Sequence, residues 1–112
     1  MPLEDQLVHE IRSAVIDDNL SRYIALMRSN PAQVNASHWR QFIGIIQNSQ
    51  TEDNVCEVFR QIMVDVLANT LAVLDGSSNL ETLRGNFRVS YEGTFLPQTL
   101  ADTLWEQEQA NI

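Results

Sequence analysis

The sequence predicts a mainly α fold with a small β component: a bundle of four or five helices around a central helix, residues 52–74, with a small C-terminal β-hairpin. Three observations carry this reading. Up to residue 75 the apolar residues recur every three or four positions, the period of a buried helix face. From Thr51 that recurrence continues without a break as far as Leu74, which marks one long helix. Beyond it Phe87, Val89 and Tyr91 alternate instead, as a half-buried strand requires. At 112 residues the chain has the size of a single domain, 1–112, with one core.

The elements follow in order. Leu3, Leu7, Ile11 and Val15, with Val8 and Ala14 beside them, form the stripe of a first helix over Pro2 to Asp17, and Glu4 and Asp5 suit the positive end of its dipole. The Asp17-Asp18-Asn19 run is expected to stop that helix and cap a second, whose stripe is Leu20, Tyr23, Ile24 and Met27 and whose end is Asn30-Pro31. Ser37 is the expected cap of a third helix carrying Trp39, Phe42, Ile43 and Ile46. Gly44 inside it costs about 1 kcal/mol relative to alanine, so a neighbouring helix is expected to approach closely there.

The fourth helix starts from Thr51 as N-cap with Glu52 and Asp53 behind it. Its stripe comprises Val55, Val58, Phe59, Ile62, Met63, Val66, Leu67, Leu71 and Leu74. Asp53, Glu57, Arg60 and Gln61 give its first half a polar face, whereas Val64, Ala68, Ala72 and Val73 make the second half apolar nearly all round. A helix apolar on every side belongs inside a domain, which places residues 64–74 at the centre of the core. There Thr70 can bond back to a carbonyl one turn earlier, and Asn69 requires a partner within the fold.

Asp75-Gly76 ends the helix, and the connector after it is expected to hold one helical turn capped by Asn79 and stopped by Gly85. In the hairpin, Phe87, Val89 and Tyr91 are expected to press onto the helices, since an isolated two-stranded hairpin is marginal in water. Glu92 suits the positive φ of a two-residue loop poorly, so the expected connection is a type I turn over Tyr91-Glu92 with Gly93 as a left-handed bulge. Thr94 to Leu96 return as a strand, and Pro97 opens a last helix with Leu100, Leu104 and Trp105 inward and Asp102, Glu106 and Glu108 outward.

Composition narrows the function classes. The net charge is −8, and all seven bases are arginine. The acid excess is concentrated beyond residue 40, and no basic side chain follows Arg88. Phosphate-tracking proteins need clustered cations, so a nucleic-acid partner is not expected and a basic protein partner is. The apolar run IMVDVLANTLAVL is interrupted by Asp65, Asn69 and Thr70 and falls short of the roughly 20 residues a bilayer requires, so no membrane span is expected. The start MPLEDQ lacks the basic and apolar regions of a secretory signal, and the single Cys56 cannot form an internal disulfide; both point to a cytoplasmic location.

Chemistry-bearing motifs are scarce. His9-Glu10 lacks a second histidine at position 13, which is Ser13, so the metalloprotease pattern fails. Asp5 stands one turn before His9 and can orient its imidazole, but most such pairs are solvated surface contacts. His38 falls in the first turn of its helix, and Cys56, with no basic residue near it in sequence, reads as a core or boundary residue and not a nucleophile. No metal-ligand cluster, phosphate loop or nucleophile elbow is present, so neither a metal nor a cofactor is expected. The tryptophans Trp39 and Trp105 follow the apolar stripes and read as core.

Asp75-Gly76, Phe87, Val89, Tyr91, Gly93, Leu100, Asp102 and Trp105-Glu106 together look like the C-terminal half of small bacterial proteins that include toxin-immunity proteins. This resemblance implies a non-enzymatic protein that blocks a partner. With the acidic excess, the expectation is an inhibitor that caps a basic, nuclease-like toxin through Asp53, Glu57, Asp65, Glu92, Asp102, Glu106 and Glu108. Two alternatives stand beside it: a structural homodimer formed through the hairpin edge or the Trp105 helix, and a small enzyme using His9 with Asp5 or Cys56.

Overall fold

The computed structural model describes residues 2–77, 80–82 and 87–110; the expected turn between Asn79 and Gly85 has both its limits outside them. It is mainly helical, with a two-stranded antiparallel sheet near the C-terminus.

The first two expected helices are one rod. Helix α1 (Leu3–Arg12) passes through a π-helical turn (Ser13–Asp17) into α2 (Asp18–Met27), and the backbone stays helical at Asp17, with φ −66° and ψ −45°. The break expected at residues 17–19 therefore does not occur. Its apolar face explains why. Val8, Ile16, Leu20 and Ile24, with Arg12 among them, recur every four residues, so in a regular helix of 3.6 residues per turn they would drift steadily around the axis; a wider π turn takes up that drift. Asn19 does not cap a new helix: its side chain donates back to the Val15 carbonyl at 2.7 Å.

After a 3-10 turn (Pro31–Gln33), begun by the Asn30 side chain accepting from the Ala32 N–H at 3.1 Å, comes α3 (Ser37–Ser49). Ser37 is its first residue, with Ala36 at the cap position. Met27, Ile43 and Ile46 are buried between α2 and α3. Gln47 donates to the carbonyls of Met27 and Ser29, both at 2.8 Å, satisfying acceptors freed where α2 ends. The close helix approach expected at Gly44 is absent, since a methyl group there would meet nothing within 4 Å.

Helix α4 (Glu52–Leu74) is central in the bundle, touching α2, the π turn and α5. Val64, Leu67, Ala68 and Leu71 face the main core, which they share with Val8, Ile16, Leu96, Leu100 and Leu104. Burial on every side does not occur. Val66, Asn69 and Thr70 are exposed, because the packed helices cover α4 on one face only. Thr70 does bond back to the Val66 carbonyl, at 2.8 Å, but Asn69 faces solvent and needs no internal partner.

At the end of α4 the Gly76 N–H bonds the Val73 carbonyl and the Ser77 N–H bonds that of Ala72, a Schellman arrangement with Gly76 at φ +82°. A Cβ on Gly76 would come within 2.9 Å of the Gln98 side chain and 3.2 Å of the Phe87 carbonyl, so glycine is required for space as well as for conformation. The buried Asp75 carboxylate accepts from the Ser77 N–H at 2.9 Å and from that of Ala101 at 3.3 Å, tying the end of α4 to the start of α5 (Leu100–Ala110). Helix α5 thus begins beyond Pro97 and not with it.

Strands β1 (Ser90–Tyr91) and β2 (Thr94–Phe95) pair Ser90 with Phe95 and Tyr91 with Thr94. Their loop is the two-residue kind, with Glu92 at φ 48° and Gly93 at φ 83°, and not the bulged type I turn expected from sequence. The matching twist of such a loop offsets the strain of about 1–2 kcal/mol that a left-handed glutamate carries. Packing onto the helices falls to Val89 and the buried Leu96, while Phe87 and Tyr91 are exposed.

Candidate functional site

The seven carboxylates expected at a partner surface do not form one patch. Glu108 faces inward. It bridges Arg12 at 2.8 Å and Arg60 at 2.9 Å, and Arg60 also reaches Asp17 at 3.0 Å, so two guanidiniums and two carboxylates join α1, the π turn, α4 and α5. Arg12 itself is buried, and its remaining reach goes to the side-chain oxygen of Gln107 at 3.3 Å. Burial works against the charge of Arg60, but its hydrogen bond to Asp17 and the nearby Glu108 outweigh that cost and raise its pKa. This network is a clamp between elements. Trp105 and Glu108 have exchanged the roles read from sequence: the indole is exposed and the carboxylate half-buried, because α5 turns Leu100, Thr103 and Leu104 to the core.

The other six acids are exposed, and those that border a groove border separate ones. Glu57 lines a groove of 630 Å3 between α4 and α5 together with Gln61, Val64, Trp105 and Gln109. Glu106 lines a second groove, of 350 Å3, on the other side of α5. Asp102 lies on α5, while Asp53 borders a groove of 740 Å3 with Met27, Arg28, Gln47 and Glu52. Asp65 accepts from Gln61 at 2.9 Å on α4, and Glu92 occupies the hairpin loop.

Of the catalytic candidates, His9 and Asp5 line one groove and Cys56 lies outside it. His9 shares the groove of Glu106 with Asp5, Arg12, Thr103 and Gln107, and Cys56 is not among its lining residues. Cys56 is half-buried on α4; burial raises its pKa, and Glu52, Asp53 and Glu57 raise it further against the opposing Arg28. Such surroundings disfavour the thiolate. Among the described residues no group of three or more His, Cys, Asp or Glu side chains could hold a metal ion. No helix among them is long and apolar enough to cross a membrane.

Tyr23 of α2 stacks on Trp39 of α3 at 5.8 Å, Phe42 stacks on Phe59 of α4 at 5.9 Å, and edge contacts join the two pairs. Against this cluster Tyr23, Trp39, Phe59, Ile62 and Met63 line an apolar groove of 330 Å3. The aromatics were legible as stripe residues, but nothing in the sequence indicated that their outer sides would stay uncovered. No protein-family model, curated protein or solved structure matches the chain.

Proposed function

We propose that the chain is a non-enzymatic protein-binding module that inhibits a basic partner, in the manner of an immunity protein against a nuclease-like toxin. The observation that carries this reading is the one-sidedness of the charge around the α4–α5 groove. Arg12, Arg28 and Arg60 are paired with the chain's own carboxylates, and Arg60 is the one of them that lines the groove; Arg22, Arg40 and Arg88 carry no ion pair among the described residues, but they lie off the groove, where Arg22 donates to the Asn19 side chain, Arg40 to the carbonyls of Val34 and Asn35, and Arg88 sits over the Phe95 ring. Asp53, Glu57, Asp102 and Glu106 are exposed and carry no ion pair among the described residues. Around the α4–α5 groove this leaves free carboxylate beside an exposed indole, Trp105, the combination of steering charge and aromatic anchor that protein interfaces use.

The expectation is tested by capturing partners from the source cell on the immobilised chain at low and high salt, then repeating with Trp105→Ala and Glu57→Gln. A cationic protein retained one to one, released as salt rises and weakened by both substitutions, supports the reading. Retention of no cationic protein, or binding indifferent to salt and to both substitutions, refutes it.

A further inference from the structure

Helices α4 and α5 run antiparallel, since Asp75 at the end of α4 meets Ala101 near the start of α5, while Arg60 in the first half of α4 meets Glu108 near the end of α5. The groove between them measures 630 Å3, inside the range of about 300–1,000 Å3 that ligand sites occupy. Each wall is a pair of exposed residues one turn apart, Glu57 and Gln61 from α4 facing Trp105 and Gln109 from α5. Val64, Arg60 and Glu108 complete the lining and are less exposed than the walls. The ion pair of the last two joins the helices and so sets the distance between the walls.

The polar groups of the groove differ in what they have left to offer. Arg60 is committed, donating to Asp17 at 3.0 Å and to both oxygens of Glu108 at 2.9 and 3.2 Å. Glu108 is held from its other side by Arg12 at 2.8 Å, so neither charge calls for a ligand. Gln61 donates its amide nitrogen to Asp65 at 2.9 Å, and its oxygen accepts from nothing among the described residues. Glu57 likewise carries no ion pair among them. The α4 wall therefore presents two acceptors, one of them charged, and across from it stands an indole that is 40% exposed. An anion is repelled by Glu57, and an apolar group would strip water from both acceptors without replacing it. A cation rich in N–H donors satisfies all three features.

We infer that this groove receives an arginine side chain of the partner, with the guanidinium laid on the Trp105 indole and its N–H groups donated to Glu57 and Gln61. The inference rests on the basic-partner reading for the protein that bears the arginine, and names the side chain by which that protein is held. Three properties select a guanidinium over a lysine ammonium. It is planar and weakly hydrated, so it stacks on an indole, the ring that attracts cations best. It carries five N–H donors in a fork, which suits acceptors on residues one helical turn apart, about 5–6 Å between Cβ atoms. Its charge is also spread over the whole group, so Arg60 deeper in the groove, already countered by two carboxylates, opposes it little.

The test uses the full chain and three blocked tripeptides that carry arginine, lysine or citrulline between two glycines, citrulline having the shape of arginine without its charge. Proton–nitrogen NMR follows the indole N–H of Trp105, identified by its loss in Trp105→Phe, with that of Trp39 as the internal reference. The arginine peptide is expected to shift the Trp105 signal saturably and to bind at least about threefold more tightly than either of the others. Glu57→Gln is expected to weaken it by about threefold. Trp105→Leu, followed at the Gln61 backbone amide, is expected to weaken it by about fivefold. Glu10→Gln, exposed on α1 and outside the groove, is expected to change nothing. A Trp105 signal unmoved by the arginine peptide at about 50 mM overturns the inference, being far above the affinity of even a weak specific contact. So does lysine bound as tightly as arginine, or arginine binding indifferent to Glu57→Gln. The two readings fail separately. A cationic protein captured and released by salt, on a chain that ignores the arginine peptide, overturns this inference and leaves the basic-partner reading standing; arginine binding in the expected pattern with no such protein captured supports the groove as an arginine site and refutes that reading.

Discussion

The clamp centred on Glu108 yields the sharpest prediction about stability. Its side chain is 16% exposed and that of Arg12 is 8% exposed, so the pair has given up most of its hydration. Glu108→Gln keeps the shape and removes the charge, leaving Arg12 buried with only two neutral acceptors, the Gln107 side chain and the amide introduced by the substitution. Arg60, 28% exposed, keeps Asp17 and access to water, so its share of the loss is small. Breaking a buried pair from one side costs about 3–5 kcal/mol, and the partial exposure here sets the expectation at the lower end, about 3 kcal/mol. For a chain of this size that lowers the melting temperature by roughly 10 °C. Urea denaturation followed by far-ultraviolet circular dichroism measures it. Two controls sharpen the result. Arg28→Gln breaks the pair with Glu52, whose guanidinium side is 68% exposed, and is expected to cost under about 0.5 kcal/mol. The double replacement Arg12→Met with Glu108→Leu removes both charges and is expected to fall within about 1 kcal/mol of the parent. A loss below about 1 kcal/mol for Glu108→Gln, or a double variant as unstable as the single one, would show that the clamp is not what holds α5 to the rod.

Four further outcomes are expected. Asp75→Ala strips a buried carboxylate from the Ser77 and Ala101 N–H groups and should cost about 2 kcal/mol, with faster hydrogen exchange at the start of α5 than in α2. Gly44→Ala places a methyl group in open space on a helix and should raise stability by about 0.5–1 kcal/mol; a loss would mean that the surface is covered. Glu92→Gly relieves the left-handed conformation at φ 48° and should stabilise the hairpin by up to about 1 kcal/mol, read as slower exchange of the Leu96 amide. Cys56 should react with iodoacetamide more slowly than the same chain in urea, with its pH midpoint displaced upward, since burial and then Glu52, Asp53 and Glu57 disfavour the thiolate. The sign follows for stability: the folded chain keeps the thiol proton longer, so this contribution is complete below the unfolded pKa and is lost as pH rises through the folded value.

Local signals carried much of the fold. The recurrence of Leu3, Leu7, Ile11 and Val15 announced a helix, and Asp75-Gly76 announced the stop of α4. Where the fold departs from these local signals, residues distant in the chain are the cause. Asp17-Asp18-Asn19 carries the composition of a helix junction, yet Asp17 is occupied by Arg60, more than forty residues away, and the rod runs on. Hydrophobicity, which ranks a tryptophan above a glutamate, points Trp105 inward and Glu108 outward; the two arginines that make Glu108 an inward residue come from other helices. The candidate site was least legible. Acidic excess was visible in the composition, but nothing local says which carboxylates are consumed by the chain's own arginines.

Helices with apolar faces, a glycine-closed end to α4 and a hairpin near the C-terminus each depend on residues within a turn or two of one another, and the surplus of negative charge follows from composition, so all four are legible in the amino-acid order. Which of those faces is covered depends on how the elements pack. Residues 64–74 are apolar around nearly the whole circumference, yet the packed elements reach one side, and Val66 is as bare as Val58. Periodicity records that a face repels water; burial depends on a second surface arriving to cover it, and that surface is set by the packing of distant segments or by another molecule.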